Sequence, residues 1–416
     1  MPELQAPCLH RFPVEERGFS TNPASNTHFR ERHVEMLADP SIIETIKARA
    51  TIIKTLRTFL ESKSFVEVQT PILSGNAGGA TARPFKTIAT EFSDGRDLTL
   101  RIAPELWLKR LIIGGMDRVF EIGPSFRNEG LDKTHNPEFS SCEFYAVGHN
   151  LNQLMQHTEE LLGQIARSVE SLNYPFPPHA SSVLQSVQGK FQVLNFIPAL
   201  IDALGQPLPH LESLTAQEEL LEIFKSKDLP LPSIPTIPRL LDKLSSIYLE
   251  PQSLNGTPTW ITNIPGCMSP LAKSEWAATS VTTPPQEVAL RAELFINGRE
   301  VVNCYEEENS PIQQGRKFEE QQTFFALQRN SSASNPRVEV DDEAMPEDAS
   351  YLQALEWGLP PTGGWGCGID RLVMLFTGRE RISDVLTFGS LRHVTHRPQG
   401  YDKVPQVTGS PDGRQK

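Results

Sequence analysis

Residues 126–145 read Phe-Arg-Asn-Glu-Gly-Leu-Asp-Lys-Thr-His-Asn-Pro-Glu-Phe-Ser-Ser-Cys-Glu-Phe-Tyr, setting an arginine, carboxylates, a histidine and aromatic rings into two short strands joined by a loop. That mixture describes a site for an anionic, planar ligand. A second element, Gly364-Trp365-Gly366-Cys367-Gly368-Ile369-Asp370-Arg371, reads as a glycine-rich strand whose bare backbone lets a ligand approach and whose end carries an arginine. The run Leu-Val-Met-Leu-Phe after it supplies a helix. Alone, a Gly-x-Gly-x-Gly strand is weak; paired with the Arg127 region it is strong.

The chain has 416 residues, enough for one large core or two modest ones, and 38% hydrophobic residues, the level of an ordinary globular protein. A formal net charge of -12 argues against a generally basic nucleic-acid coat, so any RNA contact must be patchy. The five cysteines, Cys8, Cys142, Cys267, Cys304 and Cys367, form no Cys-x-x-Cys pair, which indicates neither a zinc site nor a disulfide framework. No uninterrupted apolar run approaches the roughly 20 residues that span a bilayer, so no membrane segment is expected. Residues 1–28 hold Arg11, Arg17, Ser20 and Thr21 but also Glu3, Glu15 and Glu16, which spoil them as an organelle presequence.

Apolar Ile42, Ile46, Ile53, Leu56 and Leu60 share one helical stripe over residues 41–64, and residues 65–73 read as a strand halted by Pro71. Then follow a strand at 98–103, a helix at 105–113 stopped by Gly114-Gly115, and a strand at 118–122 leading into Arg127. A helix over 151–169 precedes proline-rich loops around a helical insertion at about 172–255. Asn297-Gly298 predicts a tight two-residue turn between strands at 294–296 and 299–302. The polar run 330–336 reads as a surface loop and 396–416 as a flexible tail.

These two elements resemble the second and third signature motifs of class II aminoacyl-tRNA synthetases. The wording Phe126-Arg127-Asn128-Glu129, then His135-Asn136-Pro137-Glu138-Phe139 and Cys142-Glu143-Phe144-Tyr145, is similar to lysyl-tRNA synthetases in particular. The helix, strand and proline of residues 41–73 resemble the first motif, which builds a homodimer interface in that family. The implied fold is α+β, an antiparallel sheet flanked by helices, with the catalytic domain at 29–395. The implied reaction joins L-lysine to ATP as lysyl-adenylate and passes the lysine to tRNA(Lys).

Such a site must hold two anions together, for which arginine and magnesium are the usual means. Arg127 is the candidate to bridge the lysine carboxylate and the α-phosphate of ATP, because a guanidinium forks to two oxygens. The resemblance makes Glu129 a reader of the adenine edge, His135 and Asn136 phosphate ligands, and Phe139 a stacking surface. Gly368 and Arg371 complete the ATP site, Arg371 lying over the other face of the base. Glu293 and Glu300 flank the hairpin and match the pair that holds Mg2+ on the phosphates, though they equally describe solvent-facing glutamates. Asn303, Tyr305 and Glu307 have the opposite parity, so a twist or bulge between 300 and 303 is needed to bring both sets to one ligand.

Lysine recognition needs a fixed carboxylate at the far end of a four-carbon stem. Glu307 matches the ε-ammonium ligand, with Tyr145 and Glu143 beside it. Glu105 matches the α-ammonium ligand and Asn303 a ligand of the carboxylate, with Tyr305 in the same pocket. The stretch 77–85, including Gly78, resembles a loop that closes over the substrate, and read alone is simply a turn. Met268-Ser269-Pro270-Leu271-Ala272-Lys273 also matches the family, without an assignable chemistry.

Two departures stand out. Lysyl-tRNA synthetases carry an upstream β-barrel that reads the anticodon, and residues 1–28 are too few for its five strands. Leu386-Thr387-Phe388-Gly389-Ser390-Leu391-Arg392 replaces the usual Phe-Pro-x-Met-Arg-Pro, as in organellar forms. The expected compartment is therefore the mitochondrion, with the cytoplasm as the alternative. Two other readings stay open: a lysyl-adenylate-forming relative that modifies a protein or small molecule, and a non-catalytic partner protein.

Overall fold

Helix α2 (Pro40–Ser62), preceded by the short α1 (Arg32–Ala38), starts where the side chain of Asp39 accepts the Ser41 N–H at 2.9 Å and Pro40 fills the first turn. Its buried face is Ile42, Thr45, Ala48, Ile52, Leu56, Phe59 and Leu60. Ile46 and Ile53 of the predicted stripe lie only half-buried at its margin, because the stripe is centred one residue earlier. The computed structural model describes residues 32–75, 79, 82–91, 95–172, 177–278, 284–321 and 348–394. Expectations for 1–28, Gly78, 330–336 and 396–416 lie outside these residues.

The predicted strand at 65–73 is two fragments, β1 (Val66–Glu67) and β2 (Leu73–Ser74). Between them, the Thr70 N–H and hydroxyl donate to Glu121 Oε2 at 3.0 and 2.7 Å, so a carboxylate does the work of a ladder partner. Arg101, 3% exposed, forms an ion pair with Glu121 and donates to Pro124 O at 2.8 Å. Strand β2 joins β3 (Lys86–Ala89) and β4 (Arg96–Leu100) in a small sheet ordered β2-β4-β3.

The main sheet adds β5 (Arg118–Phe126), β6 (Glu138–Val147), β7 (Gln192–Asn195), β8 (Thr259–Thr262), β11 (Arg291–Ile296), β12 (Arg299–Glu306) and β13 (Thr362–Gly368). Its order is β1-β5-β6-β13-β12-β11-β8-β7. The antiparallel expectation holds for the six strands from β5 to β8, whereas the outer pairs β1–β5 and β7–β8 run parallel, which makes the sheet mixed. A separate two-stranded ribbon pairs β9 (Ser274–Ala277) with β10 (Gln286–Ala289).

One face of the sheet is dry. Helices α2, α4 (Leu151–Glu170) and α11 (Ile369–Thr377) cover it and bury Cys142, Phe144, Ala292, Cys304, Trp365 and Cys367. Trp365 stacks on Phe144 at 4.9 Å and donates its indole N–H to Thr158 Oγ1 at 2.8 Å. Helix α4 begins in a capping box between Asn150 and Gln153. Because strand side chains alternate, Glu143, Tyr145, Asn303 and Tyr305 necessarily face the other way.

The insertion folds as α5 (Pro178–Ser186), β7, α6 (Phe196–Leu204), α7 (Ala216–Ser226) and α8 (Ile237–Tyr248). It is tied to the sheet: Phe196, Leu200, Phe224, Leu240 and Leu244 share a second core with Ile261 of β8 and Phe295 of β11. Helix α3 (Glu105–Ile113) and α10 (Ala349–Leu355) close the remaining side, with α9 (residues 311–321) following the Glu307 strand end. Among the described residues no helix is long and apolar enough to cross a membrane.

Candidate active site

Three of the four glycines of β13 make the floor. Gly364 lies opposite Tyr145 and Tyr305, Gly366 opposite Glu143 and Asn303, and Gly368 opposite Ser141. All three face away from the dry side, so the middle strand of the sheet carries no side chain where its neighbours carry long ones. The result is a cavity of about 480 Å³ walled by β6 and β12 and floored by bare backbone.

At one end lies the predicted nucleotide half. Arg127 sits in the cavity wall with its guanidinium 5.2 Å above the Phe139 ring, and its buried Nε has no hydrogen-bond partner. One face of Phe139 is thus covered by Arg127. Arg371 donates to His135 Nε2 at 2.8 Å and lies 3.8 Å from Glu300 Oε2. His135 Nδ1 is 2.8 Å from Asp132 Oδ2, which places the ring proton on Nδ1 and leaves Nε2 as acceptor. Hydrogen bonds from Thr134 and His135 outweigh slight burial and hold Asp132 down at about 2. Glu129 and Gly368 line the same end.

Asn136 is partly committed elsewhere. Its amide donates to Glu138 O at 2.6 Å and accepts from Leu391 N at 3.0 Å, tying the loop to the short helix Leu391–Val394. Asp370, not singled out from sequence, is 2% exposed; it pairs with Arg49 of α2 and accepts from Ser140 N at 2.7 Å. It fixes the start of α11 against β6, and so fixes where Arg371 projects.

The hairpin resolves the parity problem. Asn297 and Gly298 take φ of 51° and 71°, as a tight turn of this kind demands. The register passes from Leu294 opposite Val302 to Phe295 opposite Glu300, so Val301 is an extra, unpaired residue. This bulge returns Glu300 to the face that carries Glu293, Asn303 and Tyr305. Glu300 lines the cavity; Glu293 stands just behind it, paired with Arg291. Burial and the nearby Glu300, against the pull of Arg291, push Glu293 up to about 7. Arg291 was not singled out from sequence, yet it donates to Asn303 Oδ1 at 3.0 Å, Met268 O at 2.9 Å and Ser269 Oγ at 3.1 Å. Residues 268–272 therefore form a wall of the cavity, anchored by that arginine.

The other end holds the carboxylates. Glu105 of α3 accepts from Tyr305 Oη at 2.6 Å and from Lys109 Nζ at 2.6 Å. Gly79, at φ 94°, packs where a Cβ would come within 3.2 Å of Glu105, and represents the glycine loop whose Gly78 is undescribed. Glu143 accepts from Tyr145 Oη at 3.3 Å, and burial together with Glu105 pushes it up to about 8. Glu307 is 1% exposed and absent from the cavity wall itself. Its Oε1 lies where a Cβ on Gly364 would be and its Oε2 forms an ion pair with Lys109; neither oxygen accepts a hydrogen bond, and Oε1 has no ion-pair partner either. The absent side chain of Gly364 is the opening through which a ligand reaches Glu307.

A family model for tRNA synthetases class II (D, K and N) matches residues 24–392. The chain belongs to that family. The synthetase is 42% identical over 396 residues to the mitochondrial lysine–tRNA ligase of Schizosaccharomyces pombe, across 95% of this chain and 69% of that protein. It is 39% identical over 397 residues to the probable cytoplasmic lysine–tRNA ligase of Encephalitozoon cuniculi, across 93% and 72%. Identity to the lysine–tRNA ligase of Campylobacter hominis is 36% over 369 residues, across 88% and 68%. The chain thus spans about two thirds of the length of these relatives.

Proposed function

We infer that this synthetase activates L-lysine with ATP and transfers it to tRNA(Lys). The observation that carries the reading is Glu307 Oε1, a buried carboxylate oxygen without a partner, set behind the bare backbone of Gly364. Leaving such an acceptor unpaired costs about 1–3 kcal/mol or more, and an arriving ammonium removes that penalty. An apolar or anionic side chain would leave it in place, and a neutral donor would leave the carboxylate's charge unmatched.

The reading assigns the rest of the cavity accordingly. Glu105 takes the α-ammonium, Asn303 and Arg127 the carboxylate, and Glu143, Tyr145 and Tyr305 enclose the stem. The lysine carboxylate attacks the α-phosphorus, the bond to pyrophosphate breaks, and Arg127 balances the charge gathering on the oxygens between them. Glu129, Phe139, Arg371 and Gly368 hold the adenine, and His135 and Asn136 approach the phosphates. Transfer then replaces AMP by a hydroxyl of the tRNA.

Glu293 and Glu300 fit a magnesium ion. They share one face across the bulge, and burial together with the nearby Glu300 raises Glu293. Among the described residues no three His, Cys, Asp or Glu side chains converge as a complete metal cage. Two carboxylates leave the remaining positions to phosphate oxygens and water, as suits this ion, which would neutralise charge on the phosphates.

We also propose a homodimer through α2 and β1. The sheet ends there on a two-residue strand, with Val66 51%, Ile72 41% and Leu73 51% exposed beside it. A mitochondrial site finds support in the name of the Schizosaccharomyces pombe relative, and the cytoplasmic Encephalitozoon cuniculi name keeps the alternative.

Incubating the chain with labelled lysine, ATP, magnesium and total RNA is expected to yield acid-precipitable label that ribonuclease removes. Pyrophosphate exchange without labelled RNA would assign the lysine to another acceptor. For Glu307→Gln, the KM for lysine is expected to rise about 100-fold, the scale of losing one buried charge pair, with the KM for ATP almost unchanged. Equal losses for both substrates would remove Glu307 from lysine recognition.

A further inference from the structure

We propose that Lys109 is the resident counter-ion of the lysine pocket, a positioning residue that holds Glu307 ready for the substrate's ε-ammonium. The inference rests on the lysine reading above and deepens it. Lys109 lies on the fourth residue after Glu105 in α3, one helical turn on, so both project from the same face. Its side chain has no exposed surface, and its Nζ touches Glu105 Oε1 at 2.6 Å and Glu307 Oε2. Three phenol rings surround it, with centroids at 6.0 Å for Tyr145 and 5.7 Å for both Tyr305 and Tyr351. A lysine is seldom buried to this degree, and here it stands behind the cavity rather than in its wall.

Charge counting gives it a purpose. The groups that face Lys109 are Glu105 on its own helix, Tyr145 on β6, Tyr305 and Glu307 on β12 and its end, and Tyr351 on α10, with Glu143 beyond Tyr145 and Arg291 beyond Glu105. Glu308, next in the chain, is turned away to Lys317 at 2.8 Å. With Glu105, Glu307 and Lys109 ionised, the group carries a net charge of about minus one, which offsets the net charge of free lysine, two ammonium groups less one carboxylate. Without Lys109, Glu105 and Glu307 crowd one another with no cation between them and hold a proton instead, and a protonated carboxyl is a poor partner for an ammonium. Burial keeps Glu307 above the ordinary carboxylate range, and Lys109 is the largest influence in the other direction. Glu105 and Glu307 outweigh burial on Lys109 and keep it charged.

Lys109 also aims Glu307. With Oε2 held by Lys109, the free Oε1 points to the notch at Gly364. One carboxylate thus serves two ammonium groups, one from the protein and one from the ligand.

The test is a double-mutant cycle in ATP–pyrophosphate exchange with Lys109→Met, Glu307→Gln and the double variant. Lys109→Met is expected to raise the KM for lysine at pH 7 by about 30-fold with the KM for ATP within about twofold, the loss shrinking as pH rises and Glu307 ionises. In the double variant, which removes both charges of the Lys109–Glu307 pair, the KM for lysine is expected to match that of Glu307→Gln alone within about threefold. Multiplying losses, or a Lys109→Met defect that does not change with pH, would overturn the inference while leaving the lysine reading intact. Should Lys109→Met fail to fold, the comparison of the double variant with Glu307→Gln decides alone. Absence of lysine-dependent exchange in the unmodified chain would overturn both.

Discussion

Gly364→Ala is expected to abolish lysine activation, with exchange falling roughly 1000-fold or more, about 4 kcal/mol of lost transition-state stabilisation. A Cβ at this position would overlap Glu307 Oε1 and come within 2.6 Å of Tyr145 Cε1. The backbone cannot retreat, because β13 is paired on both sides, Gly364 with Tyr145 and with Tyr305. The carboxylate must therefore move, and the notch that gives access to it closes. Gly366→Ala is the control: its Cβ would meet Glu143 Cγ at 3.6 Å, an ordinary contact, and exchange should stay within about tenfold of the parent. Equal collapse of the two variants would show that the trough needs bare backbone throughout, and that Glu307 is not the point of the strand.

Arg127→Ala is expected to reduce the exchange rate by about 1000-fold, the scale of removing a preorganised donor from developing negative charge. Among the described residues its guanidinium has no ion-pair partner and its Nε no hydrogen bond; the Phe139 ring is the surface it rests on. Such a group is held for a ligand, so its loss should leave the unfolding temperature within a few degrees of the parent. Arg127→Lys should recover little, since one ammonium cannot fork to a carboxylate and a phosphate together. Normal exchange in Arg127→Ala would take this residue out of the chemistry.

How much of this was legible in the residues depends on the range of the interaction that decides it. Helix α3 and the Asn297-Gly298 turn are local events, set by apolar spacing, a glycine stop and two positive φ angles, and they stand where the sequence places them. Even the bulge at Val301 was required in advance, because Glu293 and Glu300 could not otherwise share a face with Asn303. The strand at 65–73 was misread because period-two apolar residues carry no record of a Glu121 carboxylate that satisfies the Thr70 backbone instead. The parallel outer pairs were likewise invisible, since strand direction at an edge depends on which distant segment arrives there.

The site divides along the same line. By itself the sequence determined the set of charged and aromatic groups and the family they signal, because motif wording fixes which atoms are present. Only the tertiary structure decided that Arg291 braces the 268–272 wall, that Asp370 ties α11 to α2 and β6, and that Lys109 stands behind Glu307. Lys109 reads in sequence as an ordinary charged residue on an amphipathic helix. Its role comes from burial, which removes the water that would otherwise dissolve the ion pair and leaves its charge to be met by Glu105 and Glu307.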